Sequence, residues 1–587
     1  MFPSLAWAVI FGTVFAGFPL PWSVFAATKP NRQKVNAAAR NSTQAAAGEY
    51  VGSAACGRCH ADIYESFRRT RMGRSMTRVT PAALLSLSLP GSFDSPALDR
   101  HFDVFARGGK LFQSESQTGP NGAAVFENTQ EVDWIVGAGA NGYGALVQRG
   151  SYLFEAPLSF YTRPLKWEIS PGYESQDIGF NRPVLAGCIS CHTGRANPIE
   201  QDTGKFAAVP FTQPAIGCEN CHGPGAAHVR AVGPGGSLAH GTQIVNPNRL
   251  TADLENDVCM SCHEAGDSRV PRPGKTYEDF RPGTPLDETI SILMLPLKRD
   301  YPDNTDHVQH SFEMSMSKCY RGTAGQLRCA TCHDPHVEPA EAEAPAYFNA
   351  KCAGCHSSRG CKLPVEARQK TSPGDNCIGC HMPQREETRT AHTSLTNHRI
   401  LARQGEPWPE EAFEQTTPAL PDLVHLNRVP GRAEDLPTSS LLEAYREIAE
   451  RRPEYAAAYA KTLSAMELTD PGLEAVQEGL GRRDLAAGAL EQATVHLRRA
   501  IALDPQRAMA YSYLSEALAQ QNHLEEAIAA SEKAVSLEPY KALFQKALID
   551  RLIAAKQYAK ATAAMEHYVA LFPEDGFMRK MLEMAKQ

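Results

Sequence analysis

Apolar and polar positions divide the chain into stretches of different period. Met1 to Thr28 is mostly apolar and uncharged, and ends in Ser23-Val24-Phe25-Ala26-Ala27. Ala26 with Val24 two before it reads as a signal-peptidase site, so 1–26 is expected to be a signal peptide. The run is nearly of membrane length and lacks the usual basic start, which leaves a retained anchor as the alternative. Pro19 and Pro21 near its end favour cleavage. Residues 27–49 show no apolar period and read as a disordered tether.

From Ala61 to Met76, Ile63, Tyr64 and Phe67 fall on one side of a short helix. Residues 100–170 switch to strand-like patterning. His101-Phe102-Asp103-Val104-Phe105 and Ser151-Tyr152-Leu153-Phe154 alternate or run apolar, and Gly137, Gly139, Gly142 and Gly144 break the pattern. A small antiparallel insertion is expected there. The glycines do not form a nucleotide loop, because the strand–helix setting is missing. Beyond it the period fades into Pro- and Gly-rich segments with short helices, although Ile290 to Leu297 is apolar. Pro407, Pro409, Pro418, Pro421, Pro430 and Pro437 mark 401–438 as an extended linker or wrap.

After Ser439 the chain becomes rich in Ala, Leu and Glu. Pro471, Pro505, Pro539 and Pro573 stand 34 apart, as do Ala493, Ala527 and Ala561, and Leu480, Leu514 and Leu548. That period, with a small residue in the second helix and proline at the turn, is the tetratricopeptide pattern. Residues 439–587 are therefore expected to form an all-α solenoid of three good repeats (about 472–573). A degenerate repeat precedes them, and a capping helix follows from about Asp575.

The chemistry lies between the tether and the linker, in a domain read as 50–400. Cys-x-x-Cys-His occurs seven times there and takes fourteen of the sixteen cysteines. The copies are Cys56/Cys59/His60, Cys188/Cys191/His192, Cys218/Cys221/His222, Cys259/Cys262/His263, Cys329/Cys332/His333, Cys352/Cys355/His356 and Cys377/Cys380/His381. CxxC spacing also suits structural zinc. Zinc gives no reason for a histidine after every second cysteine, whereas covalent haem c attachment does. Seven haems c are expected, each bound through two thioethers and a proximal histidine. The fold class is thus a multihaem domain, mostly irregular with short helices and a small β insertion, followed by the repeat solenoid. Net charge is −7 and pI about 6.3, which gives no basic footprint for nucleic acid.

The opposite face of each iron decides between a saturated electron carrier and a site open to small molecules. Eight further histidines lie in this region: His101, His228, His240, His307, His310, His336, His392 and His398. His336 follows His333 by three residues, about 10 Å of extended chain, too short to pass round a porphyrin edge. It is expected to serve a neighbouring haem. His228, His392 and His398 are similar candidates, His310 is preferred to His307, and His101 could cap an early haem. His240, in a Gly-rich loop, is the spare. Met72 and Met76 are alternative ligands for the first haem, although helical methionine more often packs. Cys319 and Cys361 are expected to form a disulfide in an extracytoplasmic setting.

The segments YVGSAACGRCH, SPGYE, RPVLAGCISCH, IGCENCHGPGAAH, IVNP, LRCATCHDPH and CIGCHMP resemble a family of bacterial multihaem cytochromes c with C-terminal tetratricopeptide repeats. The haem part is more distantly similar to the superfamily of hydroxylamine oxidoreductase and pentahaem nitrite reductase. That resemblance implies haems packed in alternating parallel and perpendicular pairs. Those nitrite reductases use a lysine-ended CxxCK at the catalytic haem, and no motif here ends in lysine. The favoured function is periplasmic or otherwise extracytoplasmic electron transfer between redox partner proteins, with a protein partner on the repeats. Membrane contact is expected only if the N-terminal segment is retained. The alternative is a multihaem oxidoreductase acting on a small nitrogen or sulfur compound, such as nitrite or hydroxylamine, and whether the chain is an enzyme is left open.

Overall fold

The computed structural model describes residues 48–174, 176–233, 244–300, 309–357, 360–371, 374–385, 396–429 and 431–587. The expected signal peptide, nearly all of the tether, His240, His307 and His392 lie outside those residues. No helix among the described residues is long and apolar enough to cross a membrane.

Alternation builds the first layer. Strands Gly91–Ser95, Arg100–Arg107, Lys110–Thr118 and Ala124–Val132 pair antiparallel in chain order. Phe102 and Val104 are 1% and 0% exposed while the residues between and beside them are not buried, the inward–outward habit of a sheet with one buried face. A second sheet contains Met76–Arg78, Trp134–Val136, Gly142–Arg149, Tyr152–Glu155 and Arg182–Pro183, with Leu158–Tyr161 and Lys166–Ile169 continuing from Gly142–Arg149. Phe102, Val104, Leu111 and Val132 of the first sheet share one core with Ala145, Val147, Phe160 and Trp167 of the second. Strands extend from Met76 to Gln213, well beyond the expected 100–170. The flanking strands Met76–Arg78, Gly91–Ser95 and Arg182–Pro183 are too short to display a period of two.

Residues 401–438, read as an extended linker or wrap, take the form of a wrap. Trp408, Ala412, Leu420, Leu423 and Val424 are buried, and Val424–His425 adds a strand to Ile290–Met294, which also pairs with Ser268–Pro271. The prolines exclude helix, yet the apolar residues between them seat the segment as a strap. Asn427 locks it: its Oδ1 accepts the Ile292 N–H at 2.8 Å and its Nδ2 donates to the Ile290 carbonyl at 2.7 Å.

The 34-residue period resolves into helix pairs. Thr438–Arg451 and Ala456–Thr469 come first, then Glu474–Ala486 with Leu490–Leu503, Ala508–Gln520 with Leu524–Leu537, and Ala542–Ala554 with Tyr558–Leu571. Gly576–Ala585 closes the array, its N-terminus capped by Asp575. Ala493, Ala527 and Ala561 are at most 2% exposed, so the small side chains sit where helices meet most closely. The turns between repeats dock on the β region. Arg507 pairs with Asp202 at 2.6 Å, Tyr152 Oη donates to the Leu537 carbonyl, Asn181 Nδ2 to the Leu571 carbonyl, and Arg100 to the Glu574 carbonyl. Leu537 and Leu571 are 34 apart, so one edge of the solenoid presents equivalent groups to the sheets.

Candidate functional site

All seven attachment motifs fall wholly or partly in helical turns, including Ser53–Gly57, Ala186–Ile189, Cys218–His222, Ala252–His263, Cys329–Cys332, Ala344–His356 and Cys377–His381. The two cysteines of each motif stand three apart, about one helical turn. The first five motifs, with Cys352 of the sixth, line one continuous cavity of about 2510 Å³. That is several times the roughly 300–1,000 Å³ of a pocket for one small ligand. Cys355, His356, Cys377, Cys380 and His381 do not line it.

Imidazoles meet in twos. The ring centroids of His222 and His336 are 6.1 Å apart, His263 and His310 5.4 Å, and His333 and His398 6.4 Å. His310 and His398 are themselves 4.2 Å apart, so two of these pairs adjoin. Backbone carbonyls fix ring orientation: Nδ1 of His222 donates to Val245, of His381 to Leu401 and of His398 to Thr396. Nε2 is thereby the nitrogen left as an acceptor. Burial lowers the pKa of His222, His263 and His310, and takes His398 to about 4, so these rings are neutral donors at pH 7. Among the described residues, no three His, Cys, Asp or Glu side chains converge as a protein-only metal site.

Two carboxylates that sequence reasoning missed hold this cluster. Glu264 Oε2 accepts the N–H groups of Ser311 and Phe312 at 2.8 and 3.2 Å, which seats helix His310–Ser315 beside His263. Glu313 accepts the His398 N–H at 2.9 Å and pairs with Arg385. Both are fully buried. The available signal for Glu264 was its place directly after a CxxCH motif; Glu313 offered none.

His60, His192 and His228 also line the cavity. His101 does not. Its Nδ1 and Nε2 lie 2.7 and 3.2 Å from Asp94 and Asp103 on an exposed sheet, which corrects its expected place over an early haem. Met76 is buried in the β core, whereas Met72 lines the cavity. Cys319 and Cys361 are separate free thiols, not a disulfide: Cys319 stands near Cys332, Cys352 and Cys355, and Cys361 near Cys377.

No protein-family profile matches the chain. The multiheme cytochrome MtrA of Shewanella baltica (strain OS185) is 27% identical over 189 residues, covering 30% of this chain and 54% of the relative. The chain is similar to a multihaem cytochrome. It spans about half the length of that curated relative. Solved structures with partial likeness include the TPR2B-domain:pHsp70-complex of yeast Sti1 (22% identity, 19% of this chain, 94% of that one, TM-score 0.18). MamA is another (20% identity, 25% of this chain, 76% of that one, TM-score 0.19).

Proposed function

We propose that the chain is an exported c-type cytochrome that holds seven haems and carries electrons between redox partner proteins, while its repeats dock a protein partner. The observation that carries this reading is a missing core. Between Lys318 and His398, which contain three CxxCH segments, no described residue is buried. A stretch of that length cannot offset its ordering entropy without apolar burial. Porphyrin surface at Cys329/Cys332, Cys352/Cys355 and Cys377/Cys380 fills that role.

Haem c, when bound, supplies one-electron iron chemistry. The chain attaches it through the fourteen motif cysteines and holds it by His60, His192, His222, His263, His333, His356 and His381. His336, His310 and His398, whose rings lie 6.1, 5.4 and 6.4 Å from those of His222, His263 and His333, would share in holding the same irons. His228 and His392 are proposed for two of the remaining irons. Export follows from the apolar segment 1–26, since c-type attachment in bacteria takes place outside the cytoplasmic membrane.

Intact mass of the matured protein is expected to exceed the polypeptide by seven haems, and a smaller excess corrects the count. Electron paramagnetic resonance of the oxidised protein is expected to show low-spin iron only. One observation favours the second reading, a multihaem oxidoreductase. With His101 removed, seven spare histidines remain for seven irons, so capping all of them requires both His240 and His307. A sizeable high-spin signal, carbon monoxide binding, and turnover of nitrite or hydroxylamine would together establish the enzyme in place of the carrier.

A further inference from the structure

In three attachment motifs the helix that carries the first cysteine also carries a polar residue one turn before it: Ser53 before Cys56, Asn256 before Cys259 and Asn349 before Cys352. Residues three apart share a helix face, so this side chain and the thiol address the same neighbour. In each case the neighbour is another motif. Ser53 Oγ accepts the Cys218 N–H at 3.1 Å, Asn256 Oδ1 the Cys329 N–H at 3.0 Å, and Asn349 Oδ1 the Cys377 N–H at 3.0 Å. Both asparagines also donate Nδ2 to the carbonyl two residues ahead of the capped cysteine, Leu327 and Asp375 respectively. Cys218, Cys329 and Cys377 each open a helix, so the N–H they contribute has no acceptor within its own turn. The helices follow the backbone: Ser53–Gly57 packs on Cys218–His222, Ala252–His263 on Cys329–Cys332, and Ala344–His356 on Cys377–His381.

The motif at 188–192 takes neither part. Leu185 stands one turn before Cys188, and the Cys188 N–H returns to the Leu185 carbonyl. This motif is joined elsewhere through its second cysteine: Cys191 Sγ donates to the Ser261 carbonyl, next to Cys262, at 3.8 Å. Between the pairs, His222 stacks on His336, three residues past the 329–333 motif, with ring centroids 6.1 Å apart, and turn Cys329–Cys332 packs on helix Ala344–His356.

We infer that Ser53, Asn256 and Asn349 are positioning residues that clamp six motifs into three pairs joined end to end, with the motif at 188–192 a side branch at 259–263. The pairs are 56–60 with 218–222, 259–263 with 329–333, and 352–356 with 377–381. This rests on the haem-attachment reading above. Spatial order then departs from chain order, because the second motif is bypassed. Electron exchange weakens steeply with separation, so the clamped pairs are the fast steps. The branch exchanges electrons without lying on the path between the ends.

The test uses the full-length, matured protein. A wild-type mass without haem overturns the attachment reading and this inference together; a seven-haem mass leaves the pairing to be judged alone. Spectroscopic redox titration of that protein is then expected to resolve three interacting twos and one single iron, and seven independent titrations overturn the pairing. Ser53→Ala, with all haems retained, is expected to shift the signals of two irons only. They should be the two lost on Cys56→Ala/Cys59→Ala and on Cys218→Ala/Cys221→Ala. Ser53→Thr, which keeps the hydroxyl acceptor, is expected to restore them. Shifts at other irons, or none, refute the clamp. Cys188→Ala/Cys191→Ala is expected to leave the three paired titrations in place, and a broken pair in that variant overturns the branch. The wild-type titration decides the pairing even if a variant fails to mature.

Discussion

Lys556 occupies a left-handed backbone position that its sister repeats fill with better-suited residues. Gly488, Asn522 and Lys556 are 34 apart and have φ of 74°, 63° and 58° at the turn between the two helices of a repeat. A lysine Cβ there costs about 1–2 kcal/mol, part of which glycine's extra chain entropy would return. Lys556→Gly is therefore expected to stabilise the chain by about 0.5–1 kcal/mol. Urea unfolding should show a raised midpoint, and a lowered one would refute the relief of strain. His425 is a second residue-level device. Its ring, 1% exposed, lies 2.9 Å from Asp287 and 2.8 Å from Glu434. Burial pulls its pKa down, but the hydrogen bonds and charges of the two carboxylates outweigh that and raise it. A raised folded pKa gives stabilisation that is complete below the unfolded value of ~6.5 and lost as pH climbs through the folded one. The thermal midpoint should therefore fall on the alkaline side, and His425→Gln should remove that part of the slope. Nothing local marked this histidine: its two partners lie 138 residues upstream and 9 residues downstream.

At the scale of elements, what could be read depended on length and repetition. The repeat helices were legible because one pattern recurs four times with small residues at fixed places. The central strands were legible through alternation, and the seven Cys-x-x-Cys-His segments stand out by spacing alone. The strap was legible only in part, because its prolines announce a linker or wrap without helix but not where Trp408 and Leu423 will be buried. The pairing of motifs was hidden, since Asn256 and Cys329 are 73 apart and only folding joins them. The seam between sheet and solenoid is another long-range product. There Arg100 meets Glu115 at 3.2 Å and Asp177 at 2.8 Å beside buried Glu574, and Arg579 stacks on Phe126. Burial first, then the charges of Asp177 and Glu574, push Glu115 up to about 9. The stabilisation is complete below the unfolded value of ~4.3 and falls as pH rises towards 9, because the unfolded chain ionises there while the folded one still holds the proton, so the seam weakens over that range. Glu115→Gln cannot ionise and should exceed the wild type in thermal midpoint at pH 9 while differing less at pH 6. An equal difference at both values would locate the charge strain elsewhere.

For the whole molecule, the sheets, the strap region around Ile292 and Leu423, and the solenoid have protein cores, and one stretch among the described residues does not. The sheets bury Phe102, Leu158 and Trp167, and the solenoid buries Leu497, Phe544 and Tyr568, whereas Lys318 to His398 contributes no buried described residue. Replacing even one such core side chain by alanine costs about 2–5 kcal/mol, which shows how much a segment without any must obtain from another source. Attached porphyrin is that source in the proposed function, so folding there is coupled to cofactor loading. The chain made without haem attachment should accordingly be cut by a broad-specificity protease first between 318 and 398. The sheet region, 76–213, and the repeats, 438–585, should persist longer. They should persist together, because Tyr152, Asn181 and Arg100 bind the repeat turns. Loading with haem should slow cleavage between 318 and 398 at least tenfold and leave the other rates nearly unchanged. Equal rates in the loaded and unloaded chains would mean that this segment owes its order to something other than the cofactor.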